Sequence, residues 1–136
     1  MKAMTPEQAW KEICERYAVP GRAAELLQQQ NERGVDVVLE LFCECAQARG
    51  FRLDARVRQE ADDCVRDWRA QVVQPLRQVR HALKPMMERV SDAAQLRAQI
   101  QASELQAERV QVGMLCEWLD KYLARSAAAS AAGCKI

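Results

Sequence analysis

From Asp92 to Arg125 the sequence keeps one helical repeat. Leu96, Ile100, Ser103, Ala107, Val110 and Met114 fall at alternating spacings of four and three, the pattern of a heptad seam with small residues in its middle. Leu105, Val112, Leu115, Leu119 and Tyr122 form an adjoining line, so this helix offers a broad apolar face to more than one neighbour. At about 1.5 Å per residue it would be roughly 50 Å long. Compact scaling gives a chain of 136 residues a diameter of only roughly 35–40 Å. Such a helix must project or bend, and Gly113 is its weak point.

The segment before it has the same period. Asp54 offers a cap for a fourth helix carrying Val57, Ala61, Cys64, Val65, Trp68, Val72, Leu76, Val79 and Leu83 at three-to-four spacing. Pro75 sits inside this pattern, where it removes one backbone hydrogen bond and crowds the carbonyl four residues earlier, so a bend is expected near Gln71 to Pro75. Pro85 closes the helix. The expectation is that the fourth and fifth helices pair as a long antiparallel hairpin, with three shorter helices packed along it. The exposed end of the hairpin would suit a homodimer contact.

Those three helices have their own signals. Thr5-Pro6-Glu7-Gln8 combines a capping box with proline in the first turn, and Trp10, Ile13, Cys14 and Tyr17 follow as one apolar stripe. Val19-Pro20-Gly21 ends that helix. A second runs from about Gly21 to Arg33, buries Ala23, Ala24 and Leu27, and stops at Gly34. Asp36 can cap a third, in which Glu40, Glu44 and Gln47 form a narrow polar line and leave Val37, Val38, Leu41, Phe42, Cys43 and Cys45 for burial. Residues 36–46 also alternate well enough to pass for a strand, and both readings stand. The fold class expected is all-α, a five-helix bundle, with a single domain over 1–125 and a flexible Ala/Ser-rich tail over 126–136.

Composition narrows the function classes. Twenty basic and nineteen acidic side chains leave a net charge of +1, so no global field steers the chain to nucleic acid or an anionic membrane. The first residues carry no apolar signal region, and no run of about 18 apolar residues occurs, which points to the cytoplasm. Of the six cysteines, Cys14, Cys43, Cys45, Cys64 and Cys116 sit among core-type residues and read as free buried thiols; there is no Cys-x-x-Cys pair, and Cys43 and Cys45 on a helix point to nearly opposite sides, so zinc is not implied. Cys134 is third from the end, not fourth, and does not meet the prenylation pattern. Trp10, Trp68 and Trp118 fall on apolar stripes and read as packing anchors rather than base-stacking platforms.

Several short runs stand out together over roughly Ala9 to Leu123: Trp10, Tyr17-Ala18-Val19-Pro20-Gly21, Gly34-Val35-Asp36-Val37 with Leu39 and Leu41-Phe42, Trp68, Val72-Val73-Gln74-Pro75-Leu76-Arg77, Arg80, Leu83-Lys84, Glu104-Leu105 and Glu108-Arg109. In these runs the chain resembles a gammaproteobacterial domain-of-unknown-function family, numbered twenty-three-ninety. The chain departs from the family at Val38, Glu44 and Cys45. The resemblance implies a small helical bacterial protein, and it carries over no activity, cofactor or catalytic residue.

One constellation suggests a site. In Arg66, Arg69, Arg77, Arg80, His81, Lys84 and Arg89 only Asp67 and Glu88 oppose the charge. Arg77, His81 and Lys84 fall at i, i+4 and i+7 with Arg80 beside them, so their donors converge next to a proline bend, a pattern suited to phosphate or carboxylate. Two plainer readings compete. The basic line is a solvated face opposite Leu76, Val79 and Leu83, or its arginines pair across the hairpin with Glu104, Glu108 or Glu117. His81 is the sole histidine, Asp62-Asp63 and Glu60 do not face one another on a helix, and no nucleophile elbow, Gly-rich phosphate loop or zincin pattern occurs. The expectation is therefore a non-enzymatic, cofactor-free interaction or regulatory protein that binds a protein partner through the hairpin surface. The alternative is an anion-binding module for nucleotide, nucleic-acid phosphate or an acidic partner, using Arg77, Arg80, His81 and Lys84; nucleic acid is the less favoured of these and no membrane is implied.

Overall fold

Each of the first four helices begins where a side chain or a glycine can close its first turn. The computed structural model describes residues 3–133, with side chains as far as Ala129, and contains no strand among them. Helix α1 (Pro6–Tyr17) opens on the expected capping box: Thr5 Oγ1 accepts from the Gln8 amide at 3.1 Å and Gln8 Oε1 accepts from the Thr5 amide at 3.0 Å. Helix α2 (Arg22–Arg33) lies between Gly21 and Gly34, both left-handed, with φ of 82° and 65°. Helix α3 (Val37–Ala48) is capped by Asp36, whose Oδ1 accepts from the amides of Val38 and Leu39. That cap decides between the two readings of residues 36–46 in favour of helix.

Helix α4 (Ala55–Trp68), capped by Asp54, passes through a π-helical turn at Arg69–Val73 into α5 (Gln74–Leu83) and a 3₁₀ turn (Lys84–Met86). The bend expected near Pro75 is thus a change of register. The Gln74 amide donates to the Arg69 carbonyl five residues back, and a wide turn of this kind is one way for a helix to accommodate a proline that lacks its own amide. One extra residue in a turn rotates everything after it by about 100°. Val73 is consequently buried, and Val79, expected on the apolar stripe, is 44 % exposed. Arg77 and Arg80 swing inward to face the last helix, so the solvated basic face expected opposite Leu76, Val79 and Leu83 does not form at these two arginines.

Helix α6 runs over Ala93–Gly133, 41 residues. It is longer than expected because Ser126 to Gly133 continue it where a frayed tail was expected; five alanines in that stretch favour helix over coil. Cys134 and its two followers lie outside the described residues. The buried stripe is Ala93, Glu104, Ala107 and Gln111 with Arg97 and Ile100 half-buried, which is the expected four-and-three rhythm one register over. Leu96, Ser103, Leu105 and Val110 face solvent instead. Along α4, α5 and α6 the contacts run in opposite order: Glu60 meets Arg125, Cys64 the Met114 carbonyl, Trp68 the Ala107 carbonyl, Arg77 Glu108 and Arg80 Glu104.

The apolar core joins α1, α3, α4 and the second half of α6 through Ile13, Leu41, Phe42, Ala61, Val65, Val112, Leu115 and Leu119. No residue from 66 to 111 belongs to it. Leu26 is the residue α2 buries, while Leu27 is 43 % exposed. Cys43, Cys45 and Cys116 are buried free thiols, but Cys14 and Cys64 are exposed, against the expectation that all sit in the core. No helix among the described residues is long and apolar enough to cross a membrane.

Candidate functional site

Because α5 packs on α6 and not on α1 or α2, a cleft of about 560 Å³ opens between them. Trp10, Ile13, Cys14 and Tyr17 of α1, Leu27 of α2, Val37, Val38 and Leu41 of α3 and Leu105 of α6 supply apolar and aromatic walls. Arg77, Arg80, Glu104 and Glu108 supply a charged base, and His81 joins the lining from α5. All of these charged groups come from the register set by the π turn and by the polar stripe of α6.

At the base, Arg80 grips Glu104 with a fork. Its Nε lies 3.1 Å from Oε1 and 2.9 Å from Oε2, and its Nη2 donates to Oε1 at 2.9 Å. The Glu104 side chain is 6 % exposed. Arg77 is held more loosely: its Nε is 3.8 Å from Glu104 and its Nη2 3.6 Å from Glu108, ion-pair separations beyond hydrogen-bond length. Burial, and then the adjacent Glu104 charge, push the Glu108 carboxyl up to about 7, against the opposing pull of Arg77 and Arg80. The hydrogen bonds that Arg80 donates to Glu104 in turn hold its guanidinium above its ordinary value.

A second network braces this base. Asp36 caps α3 with one oxygen, and with Oδ2 accepts from Arg69 Nε at 2.6 Å and Gln111 Nε2 at 2.8 Å. Arg69 also donates to Asp62 at 2.6 Å. One carboxylate therefore ties together the start of α3, the π turn and the middle of α6. Trp68 adds a bond from its indole nitrogen to the Ala107 carbonyl at 2.8 Å. Among the described residues no group of three or more His, Cys, Asp and Glu is placed to hold a metal ion.

A family model described as "Protein of unknown function (DUF2390)" matches residues 8–115. The chain belongs to this family. The matched region of this DUF2390 member contains every residue that lines the cleft. No curated protein and no solved structure matches the chain.

Of the four residues singled out in the sequence, Arg77, Arg80 and His81 line the cleft, and Lys84 lies exposed in the 3₁₀ turn outside it. The two arginines pair with Glu104 and Glu108, while Glu117 pairs with Lys121 on its own helix at 3.1 Å. Arg69 belongs to the Asp36 network and Arg66 pairs with Asp62 and Asp63. Sequence reasoning missed the inward turn of Gln111, the network role of Asp36 beyond its cap, and the cleft-facing side of α1. A signal for the first was present: Glu104, Glu108 and Gln111 fall on one helical face, opposite in register to two arginines. Trp10 packs on the core as expected of an anchor, yet it also walls the cleft, with the Arg109 guanidinium 5.9 Å from its ring centroid.

Proposed function

We propose that this chain is a non-catalytic interaction module in which the antiparallel hairpin of α4–α5 with α6, laid against α1–α3, forms a seat for a partner. The observation that carries this reading is the cleft itself. Its volume falls in the range of about 300–1,000 Å³ typical of binding sites, and it combines apolar walls with a few convergent polar groups. Tyr17, Leu27 and Leu105 keep 37 %, 43 % and 50 % of their surface exposed there, a local excess of apolar area that a partner would cover. Residues that carry the family resemblance also gather at this place: Trp10, Tyr17, Arg77, Arg80, Glu104 and Glu108 line the cleft, and Asp36 and Trp68 support it.

A polyphosphate site on the basic segment finds less support. Arg80 is already engaged by Glu104, Lys84 is not among the residues that line the cleft, and a highly charged anion would meet the Glu104 carboxylate at the base. Cysteine catalysis also fits poorly, because burial raises the thiols of Cys14, Cys43 and Cys116, the last two to about 11 and about 12. A cytoplasmic protein acting on another macromolecule is the reading that fits these features.

The test is affinity capture from cells that express the full chain, compared with Leu105→Arg, a change at a half-exposed wall that leaves the core untouched. Loss of the partners captured by the parent chain is the expected result. An unchanged partner set would remove the cleft as the seat. Self-association belongs to the same reading: Met86, Met87, Val90 and Leu96 are exposed around the α5–α6 turn, and a light-scattering mass of one chain across micromolar concentrations would eliminate it.

A further inference from the structure

We infer that the group seated in the cleft is a single carboxylate on an apolar body, held by the Arg77 guanidinium and hydrogen-bonded by the carboxyl of Glu108. The inference rests on the cleft being the seat, and it specifies what the seat accepts.

Three features at the base select this chemistry. The Arg80–Glu104 pair is closed, because both oxygens of a buried carboxylate already accept from one guanidinium. Arg77 is different: it lines the cleft with its side chain 22 % exposed, and neither nearby carboxylate comes within hydrogen-bond length. A planar guanidinium with donors to spare suits an acceptor that offers two oxygens side by side, as a carboxylate or a phosphate does. Glu108, 3.6 Å from Arg77, is the second carboxyl at the base, and it keeps its proton into the neutral range. In that form it donates one O–H.

The charge count sets the size of the anion. With Glu108 protonated, Arg77 and Arg80 stand against Glu104 alone, leaving one positive charge at the base. One negative group completes it; a phosphate dianion overshoots, and a cation meets Arg77. The other groups that bear on Glu108 are Asp36 at the start of α3, which like Glu104 opposes its ionisation, and Cys14 on α1, while Tyr17 and His81 share the lining of the cleft. Trp10, Tyr17, Leu27 and Leu105 then cover the apolar body. The bookkeeping balances: the ligand enters as an anion, and whatever fraction of Glu108 is ionised takes up one proton from solvent.

Isothermal titration of the full chain with 3-phenylpropanoate and with 3-phenylpropanamide tests this, at about pH 6 and about pH 8.5, either side of the Glu108 midpoint. The acid is expected to bind at least about tenfold tighter than the amide at the lower pH, and to lose about tenfold for each pH unit above the midpoint. Arg77→Gln is expected to erase the difference between acid and amide. Glu108→Gln, which still donates to a carboxylate, is expected to keep the binding and flatten its pH dependence. A short peptide ending in phenylalanine, with a free or an amidated terminus, identifies the source of the carboxylate: the free-ended peptide binding tighter than the phenylpropanoate assigns a chain terminus, and the reverse assigns a small metabolite-sized acid. Amide binding as tight as the acid overturns the carboxylate inference while leaving the seat intact. Failure of every probe at millimolar concentration overturns it as well, and Leu105→Arg capture then decides separately whether the cleft is a seat at all.

Discussion

Helices α3 and α5 are similar in length and are held in opposite ways. Six of the twelve residues of α3 are buried, among them Leu41, Phe42 and Cys45, so it is fixed by apolar contact on several sides. None of the ten residues of α5 is buried, Leu76 and Leu83 are half-buried, and the side-chain pairs that tie it to α6 are those of Arg80 and Arg77 with Glu104 and Glu108. Apolar packing tolerates small shifts, because it has no preferred direction. Forked ion pairs do not, since each donor must meet its oxygen. The apolar end of the molecule thus supplies stability, whereas the polar end supplies a geometrically fixed set of charges at the base of an open cleft.

The comparison can be broken most severely at the apolar end. Leu115→Ala removes a fully buried side chain and is expected to cost about 3–5 kcal/mol in urea unfolding, with far-ultraviolet and tryptophan signals moving together. Glu104→Ala strands Arg80 in a low-exposure site and is expected to cost about 2–3 kcal/mol, with the loss of amide protection confined to α5 and the facing turns of α6. An equal loss of protection in α3 would show that the two ends are not separable.

Glu108 sharpens the contrast through pH. Its folded carboxyl, at about 7, lies above the ordinary value of 4.5, so the folded state holds a proton that the unfolded chain releases. That contribution is complete below about pH 4.5 and is lost as pH rises through about 7. Glu108→Gln is expected to remove this slope and to gain on the order of 2 kcal/mol above about pH 8, measured as the difference between denaturation curves at acid and alkaline pH. A parallel pair of curves would contradict it. The smallest effects test the π turn: Val73→Ala is expected to cost about 2 kcal/mol and Val79→Ala under about 0.5 kcal/mol. The reverse order would mean that the helix passes Pro75 in its original register.

Much of the fold is legible before any coordinates. Thr5, Asp36 and Asp54 cap the helices they were expected to cap, Gly34 ends α2, and Pro75 disturbs the helix where its missing amide requires. What was not legible is register. A proline predicts that a helix is disturbed, but whether it kinks or gains a residue depends on the contacts that follow, here Arg80 with Glu104 and Arg69 with Asp36. The same gap hid the site. Hydrophobic periodicity assigns Leu96 and Val110 to the seam of α6 because they are apolar, yet the facing helix brings arginines, and Glu104 and Gln111 take the interior. The alternative pairing of the arginines with Glu104 and Glu108 was readable, whereas the cleft, which needs α1 and α5 each to pack on α6 without touching one another, was not.

Native-state amide hydrogen exchange tests the division between the two ends most directly. The amides of α5, from Arg77 to Leu83, are predicted to exchange through a partial opening at a lower free energy than those of Leu41 to Ala46 in α3, which exchange only on global unfolding. A single shared opening free energy for both helices would contradict a molecule built from an apolar anchor and a separately fastened, ion-paired arm.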